Sequence, residues 1–316
     1  MISTAEGTDL ERSISKNQGG HTRKFRRTSS WTLSALFLAP SAVFIVLFLF
    51  LPVAEAFRLS FFDWNGLSAT MNFVGLETFI DTWTDLRLLS SLWLTVVWWV
   101  LHVVLAIGGG LFLAVLLANL RWGRGLFRTL TFLPHVLSLS VVGVIWAQLY
   151  DPGIGVLNQV LNGVGLSALT RAWLGDPQTA LVAVAVTSAW QAFGFYMVIY
   201  LAAIQNIDPG LYEAARVDGA SAIQQFRHIT LPSLHNATTV VLILGFISAL
   251  KGFGSVWAMT QGGPGTSTEL ISVYLYRQAF QYGEVSRAAA GGLTLGFLVI
   301  ILTVLFNRWR DRRSEA

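Results

Sequence analysis

The chain has 316 residues, of which 54% are hydrophobic and only 12% are charged, with a formal net charge of +4 at pH 7. Soluble domains carry roughly 25% charged residues, so a chain this poor in charge is not an ordinary soluble domain and needs lipid as part of its solvent. The absence of cysteine excludes a disulfide framework and a thiolate metal site.

Six charge-free apolar runs are each long enough for the roughly 20 helical residues that cross about 30 Å of hydrocarbon. Runs of this length predict helices rather than the alternating ten-residue segments of a barrel strand. The first run is too long and too far from residue 1 for a cleavable signal peptide. We therefore expect an all-α membrane protein with six transmembrane helices, within 28–54, 88–120, 129–150, 177–207, 228–250 and 288–307.

The positions of Lys and Arg predict the orientation, because cytoplasmic flanks carry an excess of these residues. If both termini are cytoplasmic, the inner segments hold 15 of the 21 Lys and Arg residues and the outer loops hold five. We therefore expect both termini in the cytoplasm. The predicted organisation is a disordered basic tail over 1–30, a six-helix domain over 31–307 with a cytoplasmic loop at 208–232, and a cytoplasmic tail over 308–316.

His102 is an ionisable residue in the middle of the second run. Such residues within a span are proton relays or hydrogen-bonded interior groups, and the sequence leaves both alternatives open. No Asp or Glu falls in any of the six runs. This absence argues against an ion-coupled secondary transporter or a membrane enzyme, because such proteins place acidic or His residues within their spans.

The fourth run presents Ser188, Gln191 and Phe195 on one helical face, at i, i+3 and i+7. A Gln near the middle of a span is costly unless it faces protein or water. Sugars bind to hydrogen-bonding side chains and aromatic rings. The face is therefore a candidate lining for a substrate pathway.

A face of small residues follows on the predicted fifth helix, with Gly245, Ala249 and Gly252, and with Gly254 nearby. Such a face lines a substrate groove or allows two helices to pack closely. Lys251 is the one charge near a membrane centre. Its side chain either extends to the outer interface or forms a hydrogen bond with substrate.

Residues 208–232 form a polar, charged segment between two apolar runs, and local signals predict two short helices there. Asp208 is placed to cap the first helix, and Gly219 is a natural left-handed stop. Ser221 and Gln224 form a capping box that begins the second helix.

The second of these helices carries Ile223 and Phe226 three residues apart, which makes an apolar knuckle in a predicted cytoplasmic loop. An exposed apolar group of this kind needs a cover. The knuckle either packs against the protein's own helix ends or fills a cleft in a partner. Pro232 is expected to close the segment and to begin the next span.

The spacing Glu-Ala-Ala, three residues, Gly, nine residues, Ile-x-Leu-Pro over 213–232 resembles the coupling loop of bacterial ABC importer permeases. Residues 36–64, 73–79, 260–268 and 276–292 are similar to the carbohydrate-uptake branch. The resemblance covers essentially the whole chain after residue 30, and TQGGPGTST at 260–268 is typical of the first of two paired permeases. The coupling residues that it implies are Glu213, Ala214, Ala215, Asp218, Gly219, Ile223, Phe226, Leu231 and Pro232.

The resemblance implies a type I ABC importer permease fold in the bacterial inner membrane, and a coupling loop that docks into a cytosolic ATPase. The implied partners are a second permease, two ATPase subunits, an extracytoplasmic substrate-binding protein and a sugar, with no nucleic acid. ATP and Mg²⁺ belong to the ATPase subunits, and no cofactor is expected on this chain. The chain is not expected to be an enzyme, because none of its three Lys residues lies in a phosphate-binding loop.

Two further expectations concern the substrate. By position relative to the coupling loop, the faces on runs four and five match the family's substrate-lining positions. Family members often carry polar side chains where this chain has Gly and Ala on run five, so the partner permease is expected to supply more contacts. A phosphorylated polyol such as glycerol phosphate is the alternative substrate, and Lys251 is the one cation that qualifies for it. The loops at 151–176 and 261–268 are expected to receive the binding protein.

Overall fold

The computed structural model describes residues 30–120 and 122–314. The predicted disordered tail therefore lies, apart from Ser30, outside the described residues. The chain divides into two compact units, residues 1–55 and 56–316. The described part of the first unit is helical from residue 30 onward, and the second unit holds the remaining elements.

The described residues form a mostly helical protein with one two-stranded antiparallel sheet, in which Phe62–Asp63 pairs with Asn72–Phe73. Several helices contain a five-residue π-helical turn. In chain order, the helical segments are Ser30–Ile45, Val46–Phe50 (π), Leu51–Leu59, Glu77–Thr84, Leu86–His102, Val103–Ile107 (π), Gly108–Asn119, Arg124–Val136, Leu139–Leu149, Val156–Gly163, Ser167–Leu169 (3₁₀), Ala180–Gln205, Pro209–Val217, Ala222–Gln225, Phe226–Thr230 (π), Leu231–Ser233, His235–Leu250, Phe253–Met259, Ile271–Tyr276, Arg277–Gln281 (π) and Val285–Ser314.

Within the described residues, three helices are long and apolar enough to cross a membrane: Phe37–Leu59, Leu86–Asn119 and Ala180–Gln205. The number rises to five if each of two bent helix pairs forms one span. The sixth predicted run falls in Val285–Ser314, whose apolar part, Val285–Ile301, is shorter. That helix continues past the predicted domain boundary at residue 307. Six spans and the orientation of the termini stay predictions.

The predicted third span is not one straight helix. Arg124–Val136 and Leu139–Leu149 meet at 97°. Pro134 in the last turn of the first helix has no amide hydrogen to donate and crowds the carbonyl four residues earlier. Leu137 and Ser138 then adopt extended conformations with ψ of 145° and 135°. The apolar run identified a helical segment correctly, but hydropathy gave no sign of the break within it.

The central packing of the second unit joins Leu86–Asn119 to Ala180–Gln205. A Cβ on Gly110 would lie 2.7 Å from Tyr196 Cβ and 2.9 Å from Met197 N, so only Gly permits this approach. Around the contact lies a core of buried apolar residues. Its fully buried members include Ala106, Ala114, Met197, Leu234 and Val241.

Gly194 forms a similar contact with the backbone of Thr131 and Phe132 on the bent pair, where an added Cβ would lie 2.9 Å from Phe132 Cα. We expect Gly194→Ala to lower the unfolding temperature in detergent, because overpacking against backbone costs about 1–3 kcal/mol. Gly296→Ala is the matched control, since an added Cβ there has nothing within 4 Å and gains helix propensity. Equal unfolding temperatures for the two variants would contradict this packing.

Candidate functional site

We call residues 208–232 the elbow. Its first helix, Pro209–Val217, begins where the Asp208 carboxylate accepts a hydrogen bond from Gly210 N at 2.9 Å. The helix stops at Gly219, which has a φ of +76°. The predicted cap and the predicted left-handed stop are both confirmed.

The second helix of the elbow begins at the predicted capping box. Ser221 N donates to Gln224 Oε1 at 2.7 Å, and Gln224 N donates to Ser221 Oγ at 3.4 Å. The expectation for Pro232 was wrong, because the helix runs through it to Ser233 and the 69° bend follows at Leu234. Proline is tolerated there because its ring lies in the first turn after a π-helical segment.

The elbow exposes most of the predicted coupling side chains. Glu213 is exposed, and the side chains of Val217 and Ile223 are 89% and 79% exposed. Phe226 is half-buried. No described part of the chain therefore covers Ile223, so packing against the described helix ends does not account for this half of the knuckle. The remaining predicted coupling residues are exposed, except for half-buried Ala215: Ala214, Asp218, Gly219, Leu231 and Pro232.

A buried ion cluster, which the sequence analysis missed, lies at the end of Leu86–Asn119 that is far from the elbow. Glu269 is 1% exposed, and its carboxylate accepts hydrogen bonds from Arg87 Nη2 at 3.0 and 3.1 Å and from Arg277 Nη1 at 2.7 Å. Arg87 lies at the start of Leu86–Asn119, and this helix ends at Asn119, beside the elbow. A 34-residue helix is about 50 Å long, so cluster and elbow are well separated.

The ion cluster also holds the loop at 260–268. Arg277 Nη2 donates to Gln261 O at 2.7 Å. The Thr268 hydroxyl donates to Gly263 O at 2.8 Å and lies 2.8 Å from the Thr260 hydroxyl. These bonds give the loop a fixed conformation. The sequence contained one signal for the cluster, a lone Glu directly after TQGGPGTST, but not the identity of its partners.

The polar face of the fourth run lies at the break in the bent pair. Gln191 Nε2 donates to Leu137 O at 2.9 Å, and Phe195 stacks on His135 with ring centroids 4.9 Å apart. Ser188 is half-buried. Gln191 therefore faces protein, as its burial cost requires, and it supplies a donor for a carbonyl at the break.

The small-residue face is a packing face in this chain. A Cβ on Gly245 would lie 2.7 Å from Ile107 Cδ1, and one on Gly252 would lie 2.8 Å from Leu270 Cδ1. Ala249 is buried in a second core cluster together with Leu270, and Gly254 lies against Leu139. The structure thus favours the packing alternative, and a role in the substrate pathway stays a prediction.

His102 and Lys251, two ionisable residues for which the sequence left alternatives open, differ in environment. His102 is buried, and its Nε2 lies 2.8 Å from Tyr196 Oη, so it is the hydrogen-bonded interior histidine of the two alternatives. Lys251 is exposed at the end of His235–Leu250 and forms no ion pair with any described residue. Across residues 30–120 and 122–314, no group of three His, Asp or Glu residues is arranged to hold a metal ion.

The family of binding-protein-dependent transport system inner membrane components matches residues 106–314, which include the elbow, the bent pair and the ion cluster's Glu269. The chain belongs to this family. Its resemblance to ABC importer permeases is thereby confirmed.

Similar proteins cover nearly the whole chain. A probable ABC transporter permease protein, YurN of Bacillus subtilis (strain 168), is 38% identical over 86% of this chain and 92% of its own. The diacetylchitobiose uptake system permease protein NgcF of Streptomyces coelicolor (strain ATCC BAA-471 / A3(2) / M145) is 36% identical over 96% and 89%. The crystal structure of a bacterial alginate ABC transporter, in complex with an alginate pentasaccharide-bound periplasmic protein, matches with a TM-score of 0.77 at 24% identity, over 96% and 97%. This last likeness shows that the fold is shared.

We expect Glu269→Gln to lower the unfolding temperature in detergent far more than Asp81→Asn does. The first change removes the buried negative charge between two guanidinium groups. Breaking a buried ion pair in this way lowers the free energy of unfolding by about 3–5 kcal/mol. The second disrupts the Arg287–Asp81 pair, which is 39% and 47% exposed and contributes at most about 1 kcal/mol. Thermal unfolding of both variants tests this, and similar small shifts would show that Glu269 is not the anchor.

Proposed function

We propose that the chain is a membrane-spanning permease subunit of an ATP-driven, binding-protein-dependent importer of a sugar or small oligosaccharide. The observation that carries the proposal is the exposed elbow, because Ile223 stands 79% exposed on a capped two-helix unit within a chain of this family. An apolar side chain presented in this way fits a cleft in a partner.

The elbow's place in the chain suits coupling. It directly follows Ala180–Gln205 and directly precedes His235–Leu250, so a partner that moves the elbow moves two apolar helices. In this proposal two cytosolic ATPase subunits bind ATP and Mg²⁺, and one of them holds the elbow. Rigid-body movement of the elbow then switches the accessible side of the pathway. A second permease forms the other half of the pathway.

The proposal places the elbow in the cytoplasm and the 260–268 loop on the outer side of the bacterial inner membrane. The two lie at opposite ends of Leu86–Asn119, which supports opposite sides of a bilayer. The loop, braced by the Glu269 cluster, receives an extracytoplasmic binding protein together with residues 151–176. A likeness to a transporter solved with a periplasmic protein supports this arrangement.

The substrate class rests on the relatives. NgcF is named for diacetylchitobiose uptake, and the structural match imports alginate. These names favour a sugar over a phosphorylated polyol. In this chain Gln191 and Phe195 already contact the break at Leu137 and His135, so we propose that they shape the pathway wall. Lys251 remains the cation that a phosphorylated polyol would use, and the partner permease supplies most direct sugar contacts.

We expect Glu213→Lys and Gly219→Pro each to abolish uptake in proteoliposomes that contain the complete transporter. The first reverses the charge offered to the ATPase, and the second forbids the positive φ of the hinge. Membrane insertion is expected to stay intact, as measured by the detergent-extracted yield of the chain. Glu77→Lys, a charge reversal at an exposed Glu outside the elbow, is the matched control and retains uptake. Wild-type uptake in both elbow variants would contradict the proposed coupling role of the elbow.

A further inference from the structure

A hydrogen bond joins the two helices of the elbow. The Tyr212 hydroxyl on the first helix lies 2.9 Å from the Thr230 hydroxyl on the second. Tyr212 is half-buried and Thr230 is only 6% exposed. Within residues 208–234, all of which the structure describes, this is the one side chain–side chain hydrogen bond between the two helices.

At the hinge glycine itself, no side-chain packing fixes the angle between these helices. The backbone bond across it, from Ala220 N to Ala215 O at 2.8 Å, closes the turn itself. Gly219 carries no side chain, and an added Cβ there would have nothing within 4 Å. The Tyr212–Thr230 bond lies away from the hinge, because Tyr212 is seven residues before Gly219 and Thr230 is eleven residues after it. A contact so placed resists opening of the angle more effectively than one at the vertex.

Packing against the helical bundle does not replace this bond. A cavity of about 440 Å³ lies between the elbow and the ends of the two long helices. Both members of the bond line it, and so do Asn119 and Ile204 at the helix ends and Arg216 on the elbow. The elbow is therefore hollow on the side where it meets the spans.

We propose that the Tyr212–Thr230 hydrogen bond is a cross-brace that fixes the angle between the two elbow helices, and so sets how much of the ATPase movement reaches the membrane helices. The inference rests on the proposed coupling function. Tyr212 and Thr230 are positioning residues, because neither is on the exposed face that the partner contacts. Loss of the brace lets the ATPase turn over while the elbow flexes. Hydrolysis then continues with less transport.

The test measures ATP hydrolysed per substrate molecule imported in proteoliposomes of the complete transporter. Tyr212→Phe and Thr230→Val each remove one hydroxyl with little change of shape. Each is expected to raise this ratio about fivefold, the factor that one typical net hydrogen bond contributes to an equilibrium. Thr230→Ser keeps a hydroxyl and is expected to retain the wild-type ratio.

Two comparisons separate a brace from a general structural role. The double variant Tyr212→Phe/Thr230→Val is expected to match the single variants, because both remove the same interaction. Thr239→Val is the matched control, since the Thr239 hydroxyl bonds only its own helix, at His235 O. An unchanged ratio in both single variants, or an equal rise in the control, would overturn the proposal.

A second measurement does not depend on transport. The chain has no cysteine, so Val217→Cys and Arg227→Cys place two unique spin labels on exposed positions of the two elbow helices. Double electron–electron resonance is expected to give a narrow distance distribution, which broadens when Tyr212→Phe is added. Equal widths would contradict the brace even if the transporter assignment holds. Failure of the wild-type chain to stimulate or bind any ATPase would instead contradict the proposed function.

Discussion

The structure depends on satisfying backbone polar groups where an apolar helix is interrupted. In hydrocarbon an unpaired carbonyl or amide costs several kcal/mol, and irregular backbone is tolerated only where protein or a water-filled cavity covers it. At the Leu137–Ser138 break, Gln191 donates to the Leu137 carbonyl and so satisfies that polar group. The helix Ala180–Gln205 that supplies this donor also packs on Leu86–Asn119 at Gly110 and on the bent pair at Gly194. One helix therefore holds both the core and the break in place.

The same helix connects the core to the elbow, and only residues 206 and 207 lie between them. In the proposed mechanism, a force applied at the elbow acts on this helix and, through its packing, on the long helix that ends at the Glu269 cluster. The buried ion cluster and the capped elbow thus lie at the two ends of one packed unit. Rigid elements of this kind suit a protein that changes its accessible side by rigid-body movement.

Sequence reasoning succeeded where the determinants are local. The Asp208 cap, the Gly219 stop and the Ser221–Gln224 box each depend on residues within four positions, and all three are present. The cost of a Gln in an apolar run indicated that Gln191 faces protein or water, and in the structure its side chain bonds the Leu137 carbonyl. The partner at Leu137 lies 54 residues away, however, and nothing in a single sequence identifies it.

The features that the sequence did not predict depend on tertiary contacts or on the path of the backbone. Glu269 meets Arg87 across 182 residues, so the ion cluster was invisible to spacing arguments. Hydropathy measures how apolar a run is but not whether its helix is straight. The 129–150 run therefore gave no sign of the 97° bend between Arg124–Val136 and Leu139–Leu149. The small-residue pattern at Gly245 and Gly252 was compatible with a groove or with packing, and only the neighbouring atoms at Ile107 and Leu270 favour packing.

The most direct test of the account is the mass of the intact complex that contains this chain. Tagged protein is extracted gently from its native membrane, and everything that remains bound is weighed by native mass spectrometry. We expect a particle with one copy of this chain, one second permease and two ATPase subunits. Recovery of the chain alone, or as a homodimer without an ATPase, would contradict the central claim that the exposed elbow is a coupling surface.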